Sequence, residues 1–182
     1  MTASADSLVS SELRKWIGRE TQSQLLETIS ASDVRRYVDA TGDANPLWLD
    51  DDFARSVGYK GRILPPMLVG WVPFSFKEGT ERAVTNVSDL RRQLPLPAEY
   101  TNVRNAGSET EWLAPVCLCE QLSTRTKITD IVARQGKAGL GIYVTQEEQL
   151  FNSEGKMVLR RVHTLAVFRD KKYSGDKSQD RN

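Results

Sequence analysis

The stretch ILPPMLVGWVPFSF, residues 63–76, is apolar at almost every position. Pro65 and Pro66 suit the start of a helix, because the N–H groups that they lack would have no partner there anyway. The residues after them are apolar nearly all round, and a helix of that kind is buried on most sides. Pro73 removes one internal hydrogen bond, so we expect a kink or an early end there. The stretch therefore predicts a central helix enclosed by the rest of the chain.

The chain beyond residue 100 is patterned as strands. Four segments, 102–112, 120–132, 139–151 and 157–168, are rich in Thr, Val, Ile, Tyr and Phe. Apolar and polar residues alternate clearly around Thr124 and Thr126 and again around Thr164 and Ala166, as expected for strands with one buried face. The run Asn152-Ser153-Glu154-Gly155 is typical of a hairpin turn between the last two. These segments predict an antiparallel meander.

Shorter elements are expected before the central helix. Segment 11–17 is amphipathic, and 22–29 is ambiguous between strand and coil. Residues 33–41 predict a helix with Ser32 as its N-cap, ended by Gly42, and 50–57 predict a second one. Short helices, one apolar helix and a meander together indicate an α+β fold in which a sheet covers a buried helix.

Length and composition indicate one globular domain. The 182 residues predict a single domain over 12–170, with a loose N-terminus, 1–11, and a disordered, charged tail, 171–182. With 25 basic and 24 acidic residues, nothing favours nucleic acid or an anionic membrane as a partner. Neither a membrane-spanning stretch nor a signal peptide is recognisable, so we expect a cytoplasmic protein.

The two cysteines, Cys117 and Cys119, are two residues apart. A disulfide across so short a loop would be strained. A zinc site would need further ligands, and the sequence contains one histidine, His163. Two reduced thiols on a sheet are therefore expected, which fits a reducing compartment.

Residues 33–47, DVRRYVDATGDANPL, closely resemble the signature of the MaoC-like (R)-specific enoyl-CoA hydratase superfamily, in which a helix runs into Gly-Asp-x-Asn-Pro-Leu-His. The match continues through Asp50, Ala54, Gly58-Tyr59 and the run 63–67. Later segments resemble the N-terminal-type half of the superfamily, as in the dehydratase domain of fungal-type fatty acid synthases. The resemblance covers about residues 12–170 and implies the hotdog fold, an antiparallel sheet wrapped around a central apolar helix.

The resemblance implies hydro-lyase chemistry of lipid metabolism, namely addition of water to a trans-2-enoyl thioester of CoA or of an acyl carrier, or the reverse. A carboxylate and an imidazole must hold the water. Backbone N–H groups must stabilise the enolate oxygen, and an apolar cavity must take the acyl chain. No metal and no resident cofactor are expected, because the CoA thioester is the substrate.

Two departures from the motif bear on this chemistry. Trp48 occupies the position of the motif histidine, and an indole cannot accept a proton at neutral pH. Pro65-Pro66 replaces the His-Gly step at the start of the central helix, where the glycine N–H is the usual oxyanion donor. The Met67 N–H, one residue later, is the remaining candidate donor. Together the changes indicate a decayed catalytic site.

The candidate site residues each have a structural alternative. Asp43 is the residual acid/base and Asn45 its orienting partner, or both cap backbone N–H groups in a turn, which we favour. His163 is expected to be a hydrogen-bonded sheet residue. Trp48, Pro65, Pro66, Met67 and Trp71 are candidates to line the acyl cavity, although Trp71 and Phe74 equally suit a plain core. Lys60, Arg62 and Lys137 are candidates for the CoA phosphates, with solvation as the alternative.

Three functions stay open at this point. The first is the subunit of a heteromeric hydratase that lacks the catalytic histidine and shapes the acyl pocket beside a complete MaoC-like partner. The second is a self-sufficient homodimeric hydratase that uses Asp43, Asn45 and the Met67 N–H. The third is an acyl-CoA-binding hotdog protein without turnover. The identity of the acyl group, whether fatty, aromatic or steroid-like, is left open by the sequence.

Overall fold

The computed structural model describes residues 5–20, 24–26, 28–70 and 93–170. Six helices and five strands are assigned in these ranges. The helices are α1 (Ala5–Leu8), α2 (Ser11–Arg14), α3 (Ala31–Thr41), α4 (Pro46–Leu49), α5 (Asp51–Ser56) and α6 (Pro66–Val69), and the strands are β1 (Gln24–Leu25), β2 (Tyr100–Trp112), β3 (Ser123–Gly136), β4 (Gly139–Phe151) and β5 (Met157–Arg169).

The strands form one antiparallel sheet in the order β1-β3-β4-β5-β2. Strands β3, β4 and β5 are the predicted meander, and the turn after Asn152 joins the last two as expected. Strand β2 does not precede β3 in the sheet, however, but pairs with β5 at the opposite edge. The α+β prediction is confirmed, and the simple meander is wrong for β2.

One face of the sheet packs against the helical half of the chain. Alternate residues of β4 are buried from Ile142 to Leu150. Leu150 and Leu159 belong to a core cluster that also contains Trp48 and Val69. The segment that leads into α6 is therefore packed on the sheet, as the apolar stretch predicts. Within α6, however, Pro66 and Met67 are exposed, so the described turn is not buried on most sides as expected. The rest of the predicted helix, including Trp71, Pro73 and Phe74, lies outside the described residues.

The N-terminus differs from its prediction. Residues 5–11, expected to be loose, contain α1 and the Ser10 cap of α2. Val9 is 4% exposed and Leu13 is fully buried in a second core cluster with Ile128 and Ile131. The prediction missed Val9 because the residues around it are mostly polar, whereas Leu13 belongs to the segment 11–17 that was predicted to be amphipathic. The predicted tail, 171–182, lies outside the described residues.

Side-chain caps set the helix boundaries near the motif. The N-cap of α3 is Ser30 and not Ser32, because Ser30 and Asp33 form a reciprocal capping box. Gly42, in the left-handed conformation with φ 73°, ends the helix as predicted. Asp50 caps α5 by accepting from the N–H groups of Asp52 and Phe53.

The cysteines are unpaired, as predicted, but they do not both lie on a sheet. Cys117 forms an isolated bridge with Ile63, and Cys119 lies in the following turn with φ 61°. Burial is the main reason that the pKa of the Cys117 thiol is raised. In the ranges given above, the helices are all too short or too polar to cross a membrane.

Candidate functional site

Residues 42–48, which contain the Gly-Asp-x-Asn-Pro-Leu motif, form a tight link between α3 and α4. Asn45 is the N-cap of α4, and its Oδ1 accepts a hydrogen bond of 3.0 Å from the Leu47 N–H. Pro46 occupies the first helical position, where a missing N–H is harmless. The Asn45 side-chain oxygen thus makes the turn contact that we favoured for it.

Trp48 and Asp43 contact each other across this link. The Trp48 Nε1–H donates to Asp43 Oδ2 at 3.2 Å. Trp48 is 7% exposed and packs in the core cluster, whereas Asp43 is exposed. Because an indole N–H only donates, it orients the carboxylate but cannot exchange protons with it. The tryptophan therefore holds the carboxylate in place without supplying the base that the motif histidine would provide.

The start of α6 lies close to this motif. The Ile63 N–H donates to the Leu47 carbonyl at 3.1 Å, which ties the approach to α6 to α4. Pro65 is buried, and its carbonyl accepts from Leu68 and Val69 in the first turn. Pro66 has no N–H, so the first amide of α6 that could face a ligand is that of Met67.

An open groove runs between α3 and α6. Its volume is about 590 Å³, and its lining consists of Asp33, Arg36, Tyr37, Thr41, Met67 and Leu68. The floor is apolar where α6 contributes Met67 and Leu68. Thr41, at the other side, is two residues from Asp43. A volume of this size falls within the range of small-molecule sites, about 300–1,000 Å³.

Only some of the residues that were predicted to line the acyl cavity lie at the groove. Met67 is 52% exposed and lines the groove, and Pro66 beside it is exposed. Trp48 and Pro65 are buried instead, and neither borders the groove. Trp71 lies outside the described residues. Of the residues predicted to contact the acyl group, Met67 is the one placed at an open apolar surface in the described part of the chain.

The three cationic candidates do not come together within one chain. Lys60 pairs with Glu154 at 3.7 Å beside the β4–β5 turn. Lys137 lies in the β3–β4 turn, at the other end of the 13-residue strand β4, about 40 Å away at the usual rise per residue. Arg62 contacts Asp51 with both its backbone N–H and its Nε, and these contacts lower the pKa of the Asp51 carboxyl.

A polar row crosses the buried face of the sheet. Register places Thr126, Glu148, Arg161 and Thr110 side by side on β3, β4, β5 and β2. The Arg161 Nη1–H donates to Glu148 Oε2 at 3.2 Å, with exposed fractions of 12% and 2% for the two side chains. Burial raises the pKa of Glu148 to about 7, against the opposing effect of Arg161.

His163 lies in the next row, beside Gln146. Its Nε2 is 2.9 Å from Gln146 Oε1, and its Nδ1 has no partner in the described part of the chain. Burial, helped by the Arg161 charge, lowers the pKa of His163 to about 4. The histidine is thus a neutral sheet residue, as expected, but only one of its nitrogens is hydrogen-bonded among these residues.

Sequence reasoning missed the Glu148–Arg161 pair, although a signal existed. Gln146 and Glu148 have the same parity in β4 as the buried Ile142, Val144 and Leu150. A period-two pattern continued through them would have placed both on the buried face. Across the described ranges, no group of three potential metal ligands comes together.

Comparison with known proteins agrees with this architecture. Residues 15–161 match the model of the family described as FAS1-like, dehydratase domain region. The probable enoyl-CoA hydratase alpha subunit of Thermomonospora curvata is 25% identical over 166 residues, 88% of this chain. The chain spans 52% of that relative's length. A UPF0336 protein of Thermobifida fusca is 25% identical over 155 residues, 85% of this chain and 92% of its own length.

Solved structures show the same fold. The ChsH1-ChsH2 complex from Mycobacterium tuberculosis contains a chain with a TM-score of 0.68 and 21% identity, covering 82% of this chain and 84% of that one. The R-hydratase PhaJ1 from Pseudomonas aeruginosa has a TM-score of 0.59 and 21% sequence identity, and the match covers 85% of this chain and 83% of that one. A chain of the HadBC dehydratase complex from M. tuberculosis has a TM-score of 0.58 and 16% sequence identity, and the match covers 83% of this chain and 96% of that one. The chain belongs to the FAS1-like dehydratase-domain family and has the hotdog fold of the MaoC-like hydratases.

Proposed function

We propose that this protein is the subunit of a heteromeric enoyl-thioester hydratase, or 3-hydroxyacyl-thioester dehydratase, that shapes the acyl site beside a catalytic MaoC-like chain. The observation that carries the proposal is the bond from the Trp48 indole to Asp43. The position of the motif imidazole is filled by a group that cannot take a proton, and Pro66 brings no N–H to the oxyanion position. The partner supplies both functions.

The contribution of this chain is the groove between α3 and α6. Met67 and Leu68 offer it an apolar floor beside Tyr37, which suits an acyl chain. Arg36 and Thr41 on its rim are polar groups that can orient the thioester end. The substrate in this proposal is a CoA or acyl-carrier thioester, and no resident cofactor takes part.

Exposed apolar residues at the end of β2 support a hotdog partner. Trp112 and Leu113 are 45% and 51% exposed, and Met67 nearby is 52% exposed. The Trp112 Nε1–H donates to the Pro66 carbonyl at 2.9 Å, so strand end and α6 form one continuous surface. Strand β2 is also the edge strand of the sheet. An apolar patch at a sheet edge is typical of a protein–protein interface.

The names of three similar proteins agree with a two-chain assembly. One is called an alpha subunit, and two of the similar structures are complexes, ChsH1-ChsH2 and HadBC. These names describe those proteins. For this chain they supply the reason to look for a second hotdog chain with an intact Gly-Asp-x-Asn-Pro-x-His motif.

Co-expression with such a chain from the same genome tests the proposal. We expect the two to co-purify and to hydrate a trans-2-enoyl-CoA, measured as the loss of the enoyl absorbance, while this chain alone shows no turnover. Saturable binding of the enoyl-CoA without turnover in any combination would instead support a binding protein. Failure of every complete MaoC-like chain to associate would overturn the heteromer.

The self-sufficient homodimer remains the second candidate because Asp43 is exposed and Asn45 and the Met67 N–H are present. It requires that the pure chain hydrate crotonyl-CoA or a bulkier enoyl-CoA and that Asp43→Ala abolish the rate. That result would replace the heteromeric proposal.

A further inference from the structure

We infer that Arg161, held by Glu148, is a positioning residue that fixes helix α6, and with it the floor of the groove, on the sheet. The inference deepens the proposed function, because the groove is the acyl site only if that proposal holds. Its structural part can be tested without any activity.

Arg161 connects three elements through three different nitrogens. Its Nη1–H donates to Glu148 Oε2 of β4 at 3.2 Å, and its Nε–H to Thr110 Oγ1 of β2 at 3.3 Å. Its Nη2–H donates to the carbonyl oxygen of Gly70, directly after α6, at 2.7 Å. A guanidinium is planar and its donors point in fixed directions. Three acceptors held by one such group are therefore held relative to one another.

The absence of a side chain at Gly70 leaves room for the Arg161 guanidinium. A Cβ at that position would lie 2.7 Å from Arg161 Nη2, closer than side-chain carbons normally approach. Glycine is thus needed for the close approach of the guanidinium to the backbone, and Gly70 itself is buried. The sheet and the start of the helix are fitted to each other at this point.

Glu148 makes the buried guanidinium tolerable. A charged group removed from water is costly unless a paired charge and hydrogen bonds replace its hydration. Glu148 is 2% exposed and lies directly beside Arg161 in the register of β4 and β5. The hydrogen bond that Glu148 accepts therefore helps to keep the guanidinium in the position from which it reaches α6.

The consequence for the groove follows from the length of α6. Met67 and Leu68 lie three and two residues before Gly70, respectively, within the same helical turn. A shift of the Gly70 carbonyl therefore moves both side chains that form the apolar floor. Arg161 itself is not one of the residues that line the groove, so it influences the shape of the groove without bordering it.

The chain provides a matched control one residue away. Arg160 pairs with Glu147 at 2.8 Å on the opposite face of the same two strands. Substitutions of Arg160 and Glu147 remove an ion pair of the same type without touching the helix.

Methyl NMR of methionine-labelled protein measures the position of the floor directly. The chain has three methionines, Met1, Met67 and Met157, and Met67→Leu assigns the signal of interest. We expect Arg161→Lys to move the Met67 methyl resonance by more than its linewidth, because the compact ammonium of lysine lacks the planar, spread donors that span these three acceptors. Arg160→Lys should leave it in place. Simple destabilisation would not move a native-state resonance.

A double variant guards against misfolding. Replacing both members of a buried ion pair by apolar residues usually preserves the fold. Glu148→Leu with Arg161→Met should therefore fold and still move the Met67 resonance, whereas Glu147→Leu with Arg160→Met should not. The inference is overturned if the variants of Arg161 and Glu148 move the Met67 signal no further than the variants of Arg160 and Glu147 do.

The functional part uses the co-expressed complex and trans-2-decenoyl-CoA. Arg161→Lys should raise KM about tenfold and change kcat less than about twofold, because it alters substrate binding and not the reacting groups. A moved Met67 signal without hydration in any complex would contradict the proposed function and leave the positioning role intact. Hydration by the complex with an unmoved Met67 signal would support the proposed function and contradict the positioning role of Arg161.

Discussion

Trp48 is the residue at which this chain departs most from its motif. Its ring is buried in the core, and its N–H is directed at an exposed carboxylate. The same residue therefore fills space in the core and stands at the position where the MaoC-like motif has a histidine. The loss of the imidazole was predictable from the sequence. The bond to Asp43 was not, because it depends on the turn that brings residues five apart into contact.

Trp48→Phe separates these two roles. The variant keeps most of the ring and removes the donor to Asp43. Because the exposed carboxylate can turn to water, we expect a loss of about 1–2 kcal/mol in the free energy of unfolding. Urea denaturation measures it, with Trp48→Ala as the comparison at about 3–5 kcal/mol. Equal losses in the two variants would mean that the ring contributes little to the core.

Glu148 and His163 predict opposing pH dependences of stability. The folded-state pKa of Glu148 is raised from 4.5 to about 7, so stability is lost as the pH rises through that window. The pKa of His163 is lowered from 6.5 to about 4, so stability is lost as the pH falls through it. Between these limits the two slopes, each up to about 1.4 kcal/mol per pH unit, offset each other.

Single variants reveal each slope. With Glu148→Gln, stability should rise with pH between about 4 and 6.5, owing to His163. With His163→Gln, it should fall between about 4.5 and 7, owing to Glu148. Thermal unfolding across this range measures both, and parallel curves for the two variants would contradict the assignment. The burial of Glu148 and His163 was not fully predicted from the sequence, because these polar side chains interrupt a pattern of buried apolar residues.

At the scale of elements, α3 connects a correct prediction with a wrong one. The helix and its end at Gly42 follow from the sequence, whereas its cap is Ser30 and not Ser32. The signal was present, since Ser30 precedes Asp33 by the three residues that a capping box requires. The apolar stripe alone could not fix the boundary, because either serine can precede it.

Ser30→Ala tests the cap. It removes the acceptor of the Asp33 N–H and a donor to the Asp33 carboxylate, whose pKa the Ser30 hydrogen bonds lower. We expect a loss of about 1 kcal/mol in the free energy of unfolding. Ser32→Ala, two residues on in the first turn, should change it by less than about 0.5 kcal/mol. A larger effect at Ser32 would contradict the assigned boundary.

The pairing of β2 with β5 could not be predicted. Local patterns identify strands and tight turns, but β2 and β3 are separated by a connection without a hairpin signal. The partner of β2 is therefore set by tertiary packing and not by its neighbours in sequence. The same holds for α1 and Val9, which are anchored by contact with a distant strand.

At the scale of the whole molecule, the described residues expose apolar side chains in two places that bear on assembly. One surrounds the end of β2, with Trp112, Leu113 and Met67, and the other contains Phe53 and Val57 of the α5 region. The first patch adjoins both the edge strand and the helix that lines the groove. We propose that the partner chain binds the first patch.

Leu113→Glu should weaken the heteromer at least about tenfold, because it places a charge in the apolar centre of the interface. It should leave the stability of the isolated chain within about 0.5 kcal/mol, since Leu113 is half exposed. Val57→Glu, at a residue of similar exposure on the other patch, is the matched control. Sedimentation or light scattering of the mixed chains measures association, and a stronger effect at Val57 would move the interface.

The central claim is that the reacting groups come from the partner, and the most direct test is the hydration rate of the complex after Asp43→Ala. If this chain only shapes the site, the variant complex keeps kcat within about threefold of the unaltered complex, while replacement of the partner's motif histidine abolishes turnover. A complex that loses its activity with Asp43→Ala and keeps it without the partner's histidine would contradict the account.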